Sequence, residues 1–510
     1  MSTQSSDNNK RIAKNTLMLY FRMLFMMAVS LYTSRVVLNT LGVEDYGIYN
    51  VVGGVVAMFA FINSSMSSAT QRYITFALGK GDKDRLQTVF STTLQIHTLI
   101  AGIIVLLGET VGLWFLYNKM QIPADRMDAA FWVLQCSIIA TVVMIISVPY
   151  NADIIAHEKM SAFAYISILE VVLKLVIVYM LVVFNFDKLI LYAFLLLAIQ
   201  LLIRFCYSIY CNRHFEETKY RHVWDKALFK EMTGFAAWNI WGNLAGVLST
   251  TGVNLLLNVF FGPVVNAARG VAVQVQGAIQ GFAMNFQMAL NPQITKNYAK
   301  GNLAEMHKLI GRSSRFSFFL LYILSTPVML LTSEILTLWL KVVPEHTITF
   351  LRIILVVVII DSMANPIMIA AAATGRVRRY QSIVGGVILL IVPVAYIALK
   401  LGATPEIVFV VHLVVCILAF ITRLFIVRPM IQLRIRTYMG DLLKSISPVM
   451  LVSLPISYVI CKCIQPINIP LLIAEAILCV LVCTISVFFL GLEKHERSVV
   501  LEKILNKIKK

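Results

Sequence analysis

Residues 74–82 read ITFALGKGD, and residues 294–302, a spacing of 220, read ITKNYAKGN. Extending the match without gaps places Gly42 over Gly262, Val51 over Val271, Val55 over Val275 and Ala69 over Ala289. With Ile74, Thr75, Lys80 and Gly81 this gives eight identities across positions 42–81. Both copies close a long apolar segment. A parallel repeat between two such segments predicts two like helical bundles, the architecture of an alternating-access carrier.

The composition sets that repeat in a membrane. Hydrophobic residues make up 59% of the 510 and charged residues 14%, and the mean hydropathy is +0.80. Soluble domains average about 25% charged. A spanning helix needs roughly 20 apolar residues. Fourteen candidates satisfy this, at 14–40, 47–78, 88–117, 127–156, 161–184, 189–211, 227–261, 264–298, 312–340, 347–374, 380–400, 406–428, 445–464 and 468–492. The first run carries Arg22 and Arg35 and lacks a small-residue cleavage site, so it does not read as a signal peptide. The eight cysteines lie mostly inside spans without metal-ligand spacing and read as apolar filler.

The net charge of +18 reports topology. With fourteen spans and an internal N-terminus, 29 Lys and Arg face the cytosol and seven face outward. The basic excess thus points to anionic lipid, not to nucleic acid. The sequence predicts an all-α integral membrane protein of 12–14 transmembrane helices with both termini cytosolic. Its expected parts are an N-terminal lobe at 1–211, a linker at 212–226, a C-terminal lobe at 227–430, two further helices at 431–492 and a basic amphipathic tail at 493–510. No outer loop exceeds about ten residues, which leaves no room for an external catalytic domain. No GxSxG, Walker A, HExxH or paired CxxC pattern occurs. The chain reads as a non-enzyme.

Three stretches carry a resemblance. DYGIYNVVGGVV (45–56), SSATQRYITFALGKGD (67–82) and LNPQITKNYAKGN (290–302) closely resemble the polysaccharide and O-antigen flippases of Gram-negative bacteria. These belong to the multidrug/oligosaccharidyl-lipid/polysaccharide exporter superfamily, and the resemblance covers the first twelve spans in order and spacing. It implies a V-shaped two-lobe carrier in the bacterial inner membrane. Such a carrier moves an undecaprenyl-pyrophosphate-linked oligosaccharide to the outer leaflet, for O-antigen, capsule or exopolysaccharide. Polysaccharide assembly proteins are the implied protein partners, with no cofactor beyond a coupling Na⁺ or H⁺. Most members of the polysaccharide branch are assigned twelve helices and lipid II flippases fourteen.

A charge within a span is costly, about 2.5–3.5 kcal/mol at the centre on insertion scales. Guanidinium matches phosphate in bidentate fashion, so the pyrophosphate candidates are Arg22, Arg35, Arg72 and Arg269. Arg22 lies about 15 Å into the first span, near the midplane. Arg72 sits near the inner end of the second span, where an interfacial anchor is the alternative. Lys174 has Glu170 at i−4 as a local partner. Arg204, Arg315, Arg352 and Arg423 lie near helix ends and are set aside.

Polar stripes suit a sugar path. Gln276, Gln280, Gln287 and Asn291 continue from Arg269 within a sector of about 60°. Asn239, Asn243, Thr250 and Asn254 form a second stripe, with interhelical hydrogen bonding as the alternative. Ser64, Ser68 and Arg72 share a face of the second span, with Gly54 allowing close packing. Asp361, ahead of Asn365 and Pro366, is the ion-coupling candidate or the counter-ion of an arginine. Asp153 and Glu109 are weaker acids of the same kind, and His97 and His412 read as packed residues. The alternative functions are a cation-coupled multidrug antiporter or a lipid II flippase of the same superfamily, and a scaffold of a polysaccharide assembly complex.

Overall fold

The computed structural model describes residues 14–498, except 30–31, 34–35, 38–39, 43–44, 46–47, 50–51, 53–59, 119, 121, 184–185, 222–224, 341–342 and 465–467. Among the described residues there is no strand. Helix α1 occupies residues 14–29 and α2 Ala60–Lys80. Helix α3 (Lys83–Leu107) continues through a π-helical turn, Gly108–Gly112, into α4 (Leu113–Asn118). Then follow α5 (Met127–Ala156), α6 (Met160–Val183), α7 (Lys188–His214), α8 (Lys226–Phe261) and α9 (Pro263–Ala299). The remainder are α10 (Leu303–Leu330), α11 (Thr332–Leu340), α12 (Thr347–Ser362), α13 (Asn365–Ala373), α14 (Val377–Leu389), α15 (Ile391–Lys400), α16 (Ile407–Ile431), α17 (Ile435–Ile464) and α18 (Ile469–Ser486).

Eleven stretches among the described residues are long and apolar enough to cross a membrane. They coincide with eleven of the fourteen predicted spans. Of the other three, 14–40 and 47–78 fall partly outside the described residues. The third, 264–298, is the 37-residue helix α9, whose amides dilute its apolar character. The chain is a multi-pass, all-α membrane protein.

The repeat is written into the backbone. Gly81 and Gly301 adopt φ of 74° and 73°, and Gly42 and Gly262 both adopt 80°. A side chain in this left-handed region is strained, so glycine ends each helix where the chain must turn. The next residue then starts a new helix in both copies. Asp82 accepts a hydrogen bond from the backbone N–H of Arg85 at 2.9 Å, and Asn302 from that of Glu305 at 3.3 Å. Asp82 and Asn302 are themselves 220 apart and serve as N-caps of α3 and α10. Lys80-Gly81 and Lys300-Gly301 are therefore equivalent turns, not ligand sites.

The described chain divides into two compact units, Met1–Asn243 with Thr295–Gly301, and Leu244–Ile294 with Asn302–Lys510. The first unit thus takes in the start of α8 and the end of α9, which the sequence reading assigns to the second lobe. In the first unit α5 packs against α2, α3 and α7. Val133, Leu134 and Ile138 of α5 are buried with Leu116 and Leu189. Arg126 clasps Asp45 at 2.6 Å and Asp187 at 2.5 Å. Burial opposes the ionised form of Asp187, yet the bonds from Arg126 hold it below the usual carboxylate range. Also within this unit, Gly79 of α2 lies against Ala299 of α9, so close that a Cβ on Gly79 would stand 2.7 Å from Ala299 Cβ. Residues 79 and 299 are again equivalent under the 220-residue offset. Two copies meeting at the same position is how an isologous contact forms.

In the second unit α10 packs on α12, α17 and α18, and α12 and α14 pack on α16. Phe350 of α12 stacks on Phe409 of α16 with centroids 4.2 Å apart. The helix breaks just after Asp361. Helix α12 stops at Ser362 and α13 begins at Asn365 with Pro366 in its first turn, where a missing N–H is tolerated.

Candidate functional site

Within the second unit, the ends of the sequence's polar stripes open on a cavity of about 490 Å³. Arg269, Gln276 and Gln280 line it from α9, Thr250 from α8, Asp361 from α12, and His412 and Arg423 from α16. The break between α14 and α15 at Leu390 shapes one wall, and Ser249 holds it by donating to the Ile388 carbonyl at 2.9 Å.

The charges in this cavity are unequally compensated. Arg423, 11% exposed on its side chain, donates to Asp361 Oδ1 at 3.1 Å. Asp361 itself is 43% exposed on its side chain, so the pair has one dry and one open partner. Arg269 is 9% exposed. It donates to Asn254 Oδ1 at 3.1 Å and to the Thr250 carbonyl at 2.9 Å. Both acceptors are neutral, and among the described residues no carboxylate forms an ion pair with Arg269. The cavity thus presents two guanidiniums against one carboxylate, beside two glutamines.

The remaining predicted residues divide by their partners. Gln287 is buried and donates to Ser317 Oγ at 2.9 Å and to the Ser362 carbonyl at 2.7 Å, which makes it interhelical glue. Asn243 donates to Ser65 Oγ at 2.6 Å, and Asn239 to the Phe235 carbonyl at 3.2 Å. Asn291 is half-buried on α9. So the stripe from Arg269 is cavity lining at Gln276 and Gln280 and structural tie at Gln287.

Arg22 and Arg72 belong to the first unit. Arg22 donates to Ser167 Oγ at 3.3 Å and stands 4.5 Å over the Phe163 ring. Arg72 is boxed by Tyr73, Phe76 and Phe235 at 4.4, 5.1 and 5.4 Å, with Glu231 at 4.0 Å. That environment is an anchor's. Arg35 and Gly54 and the side chain of Ser64 lie outside the described residues, and Ser68 is exposed on α2. Glu170 and Lys174 pair at 2.7 Å. Glu109 accepts from Gln135 at 3.2 Å. His97 is fully buried against the Thr93 carbonyl at 2.8 Å, as a packed histidine. Arg315 reaches Glu493 at 2.8 Å and Glu496 at 2.5 Å. Arg204 lies over Tyr150 at 3.9 Å, and Arg352 donates to the Met329 carbonyl at 3.0 Å.

Arg423 and His412 are the site residues that sequence reasoning passed over. The usable signal was charge balance, since Asp361 and Arg423 are each isolated within an apolar span.

Residues 19–180 match the MatE family model. No curated protein matches the chain in sequence. Among solved structures, a MATE crystal structure in the bent conformation superposes with a TM-score of 0.72 at 13% identity, covering 85% of this chain and 97% of that one. An outward-facing multidrug resistance MATE family transporter of the MOP superfamily gives 0.69 at 14%, covering 82% and 96%. A MOP superfamily transporter from Pyrococcus furiosus, described as having a binding pocket of reverse polarity, gives 0.68 at 14%, again covering 82% and 96%. The chain has the MATE fold.

Proposed function

We propose that the chain is an alternating-access transporter of the bacterial inner membrane whose cargo is an anionic, hydroxyl-rich lipid. The chemistry fits a polyprenyl pyrophosphate-linked oligosaccharide moved from the inner to the outer leaflet. The observation that carries this reading is Arg269, a buried guanidinium that pairs with no carboxylate among the described residues, facing a cavity beside Gln276 and Gln280. A guanidinium in this setting favours phosphate, and amides suit sugar hydroxyls. The resemblance of residues 45–56, 67–82 and 290–302 to polysaccharide flippases supports the same cargo. On this reading Arg22 is a phosphate candidate of the first unit in its own right, the lobes divide at the 212–226 linker, and both termini face the cytosol.

A second reading is cation-coupled multidrug antiport. The MatE match and the neighbouring structure described as a multidrug resistance transporter favour it, as does the half-exposed Asp361. The comparisons weigh toward drug extrusion and the charge of the cavity toward an anion. Deleting the chain from its host separates them. Loss of surface polysaccharide with lipid-linked oligosaccharide accumulating in the inner leaflet supports the flippase. Unchanged glycan with gained drug sensitivity overturns it. In complementation, Arg269→Ala is expected to abolish export and Arg269→Lys to restore part of it.

A further inference from the structure

Away from that cavity, in the first unit, the C-terminal end of α5 meets the turn that follows α7. Asp153 sits in the last turn of α5, His157 immediately follows the helix, and Glu217 lies in the 3-10 turn Glu216–Thr218. His157 Nε2 is 2.5 Å from Glu217 Oε1 and 3.8 Å from Asp153 Oδ1. One donor atom from each of the three residues falls within a 4.8 Å cluster. His157 also stacks on Phe215 with centroids 4.1 Å apart and planes within 11°, which fixes its ring.

Asp153 is 0% exposed, and among the described residues neither of its carboxylate oxygens has a hydrogen-bond partner. Burying an unpartnered carboxyl costs several kcal/mol on transfer scales, and a hydrogen-bonded His157–Glu217 pair alone gives no reason for it. A cation between the three residues does. We infer that Asp153, His157 and Glu217 form a divalent transition-metal site, with Zn²⁺ the best match. Imidazole nitrogen and carboxylate oxygen are both zinc donors, the imidazole favours a transition metal over Mg²⁺ or Ca²⁺, and three protein ligands leave a fourth position for water. Tetrahedral ligands about 2.0–2.1 Å from zinc stand roughly 3.4 Å apart. Asp153 is already near that separation from His157, and Glu217 reaches it by drawing back about 1 Å. Zinc takes the Nε2 lone pair of the neutral imidazole, in the tautomer that carries its proton on Nδ1. The metal then ties the end of α5 to the polar segment 212–226.

The test uses the full chain in detergent, stripped by chelation and titrated with Zn²⁺ alone. The expected result is one Zn²⁺ per chain and a raised melting temperature. Asp153→Asn and Glu217→Gln each lose at least about a hundredfold in affinity, since outer-sphere changes alone cost 10–100-fold. Stripped Asp153→Asn is expected to melt at or above the stripped parent, because it no longer buries an unpartnered carboxyl. Glu158→Gln, whose carboxylate pairs with Lys296 at 2.8 Å, keeps the full zinc response. Unchanged affinity in both variants, or no bound zinc and no shift in the parent, overturns the site.

Discussion

Replacing Gly79 by Ala probes the contact that the repeat creates. An ideal Cβ at Gly79 stands 2.7 Å from Ala299 Cβ and 3.1 Å from both Cα and the carbonyl oxygen of Lys296. Carbon pairs settle at about 3.5–4.0 Å, so α9 must retreat by about 1 Å. None of the three atoms can rotate away, as two are backbone and the third is a Cβ. Overpacking of this kind costs about 1–3 kcal/mol, and the Gly-to-Ala gain in helix propensity returns up to about 1 kcal/mol. The net expectation is a loss of about 1–2 kcal/mol, read as a melting temperature lower by a few degrees in one fixed detergent.

Two companions isolate the cause. Gly102→Ala in α3, where a Cβ meets nothing within 4 Å, reports the propensity gain alone and is expected to melt no lower than the parent. Ala299→Gly placed on Gly79→Ala removes the 2.7 Å contact but leaves the two at 3.1 Å, so it restores part of the loss. The coupling expected between neighbours in contact is about 0.5–3 kcal/mol. If Gly79→Ala gains as much as Gly102→Ala, or the double variant melts no higher than Gly79→Ala, the two copies do not meet at this position and the reasoning fails.

Gly81→Ala and Gly301→Ala should lower the melting temperature by similar amounts. Each imposes a left-handed alanine at about 1–2 kcal/mol with no steric contact at either Cβ; unequal losses would break the structural equivalence of the turns. Asp361→Asn strips the counter-ion from Arg423 and should cost about 1–2 kcal/mol, between exposed and fully buried pairs because Asp361 is 43% exposed. Adding Arg423→Gln should recover much of the loss in the same melting assay. The hydrogen bond and charge of Arg315 hold the Glu493 carboxyl below its usual range. Folded Glu493 therefore binds fewer protons than unfolded Glu493, whose ordinary value is about 4.3. Its contribution is complete above about pH 5 and is lost as pH falls through the lowered value. The melting temperature of Glu493→Gln should accordingly fall less than that of the parent below that point.

What was legible in the sequence follows from where each requirement is written. The turns at 81 and 301 were readable because a positive φ demands glycine and a helix start rewards Asp or Asn, both local needs. The kink after Asp361 was readable for the same reason, through Pro366. The amide stripe on α9 was readable as a face, but not in what it meets. Gln276 and Gln280 face a cavity while Gln287, one to two turns on, is consumed by Ser317 and the Ser362 carbonyl. That distinction depends on which helix lies opposite. Arg423 was set aside on the same ground, since the partner that gives it a place, Asp361, is 62 residues away. Asp153, His157 and Glu217 are likewise assembled by packing, with 60 residues between the last two.

The cavity's charge pattern links cargo to coupling in a way that separates the two functional readings. Arg423 is held by Asp361, whereas Arg269 is held only by neutral oxygens. Na⁺ arriving at Asp361 cancels the one carboxylate that lines this cavity among the described residues and releases Arg423, so the cavity gains positive charge. An anionic cargo is then bound more tightly with the coupling cation present, and by linkage the cargo tightens the cation equally. A cationic drug meets the opposite situation, because it competes for Asp361 and is repelled by the freed guanidinium. The sign is measurable with inorganic pyrophosphate as the probe on purified protein at two Na⁺ concentrations, pH and ionic strength held constant. Tighter pyrophosphate binding at higher Na⁺, abolished in Asp361→Asn, is expected for the anion carrier. Weaker binding under those conditions would refute the linkage and favour drug antiport.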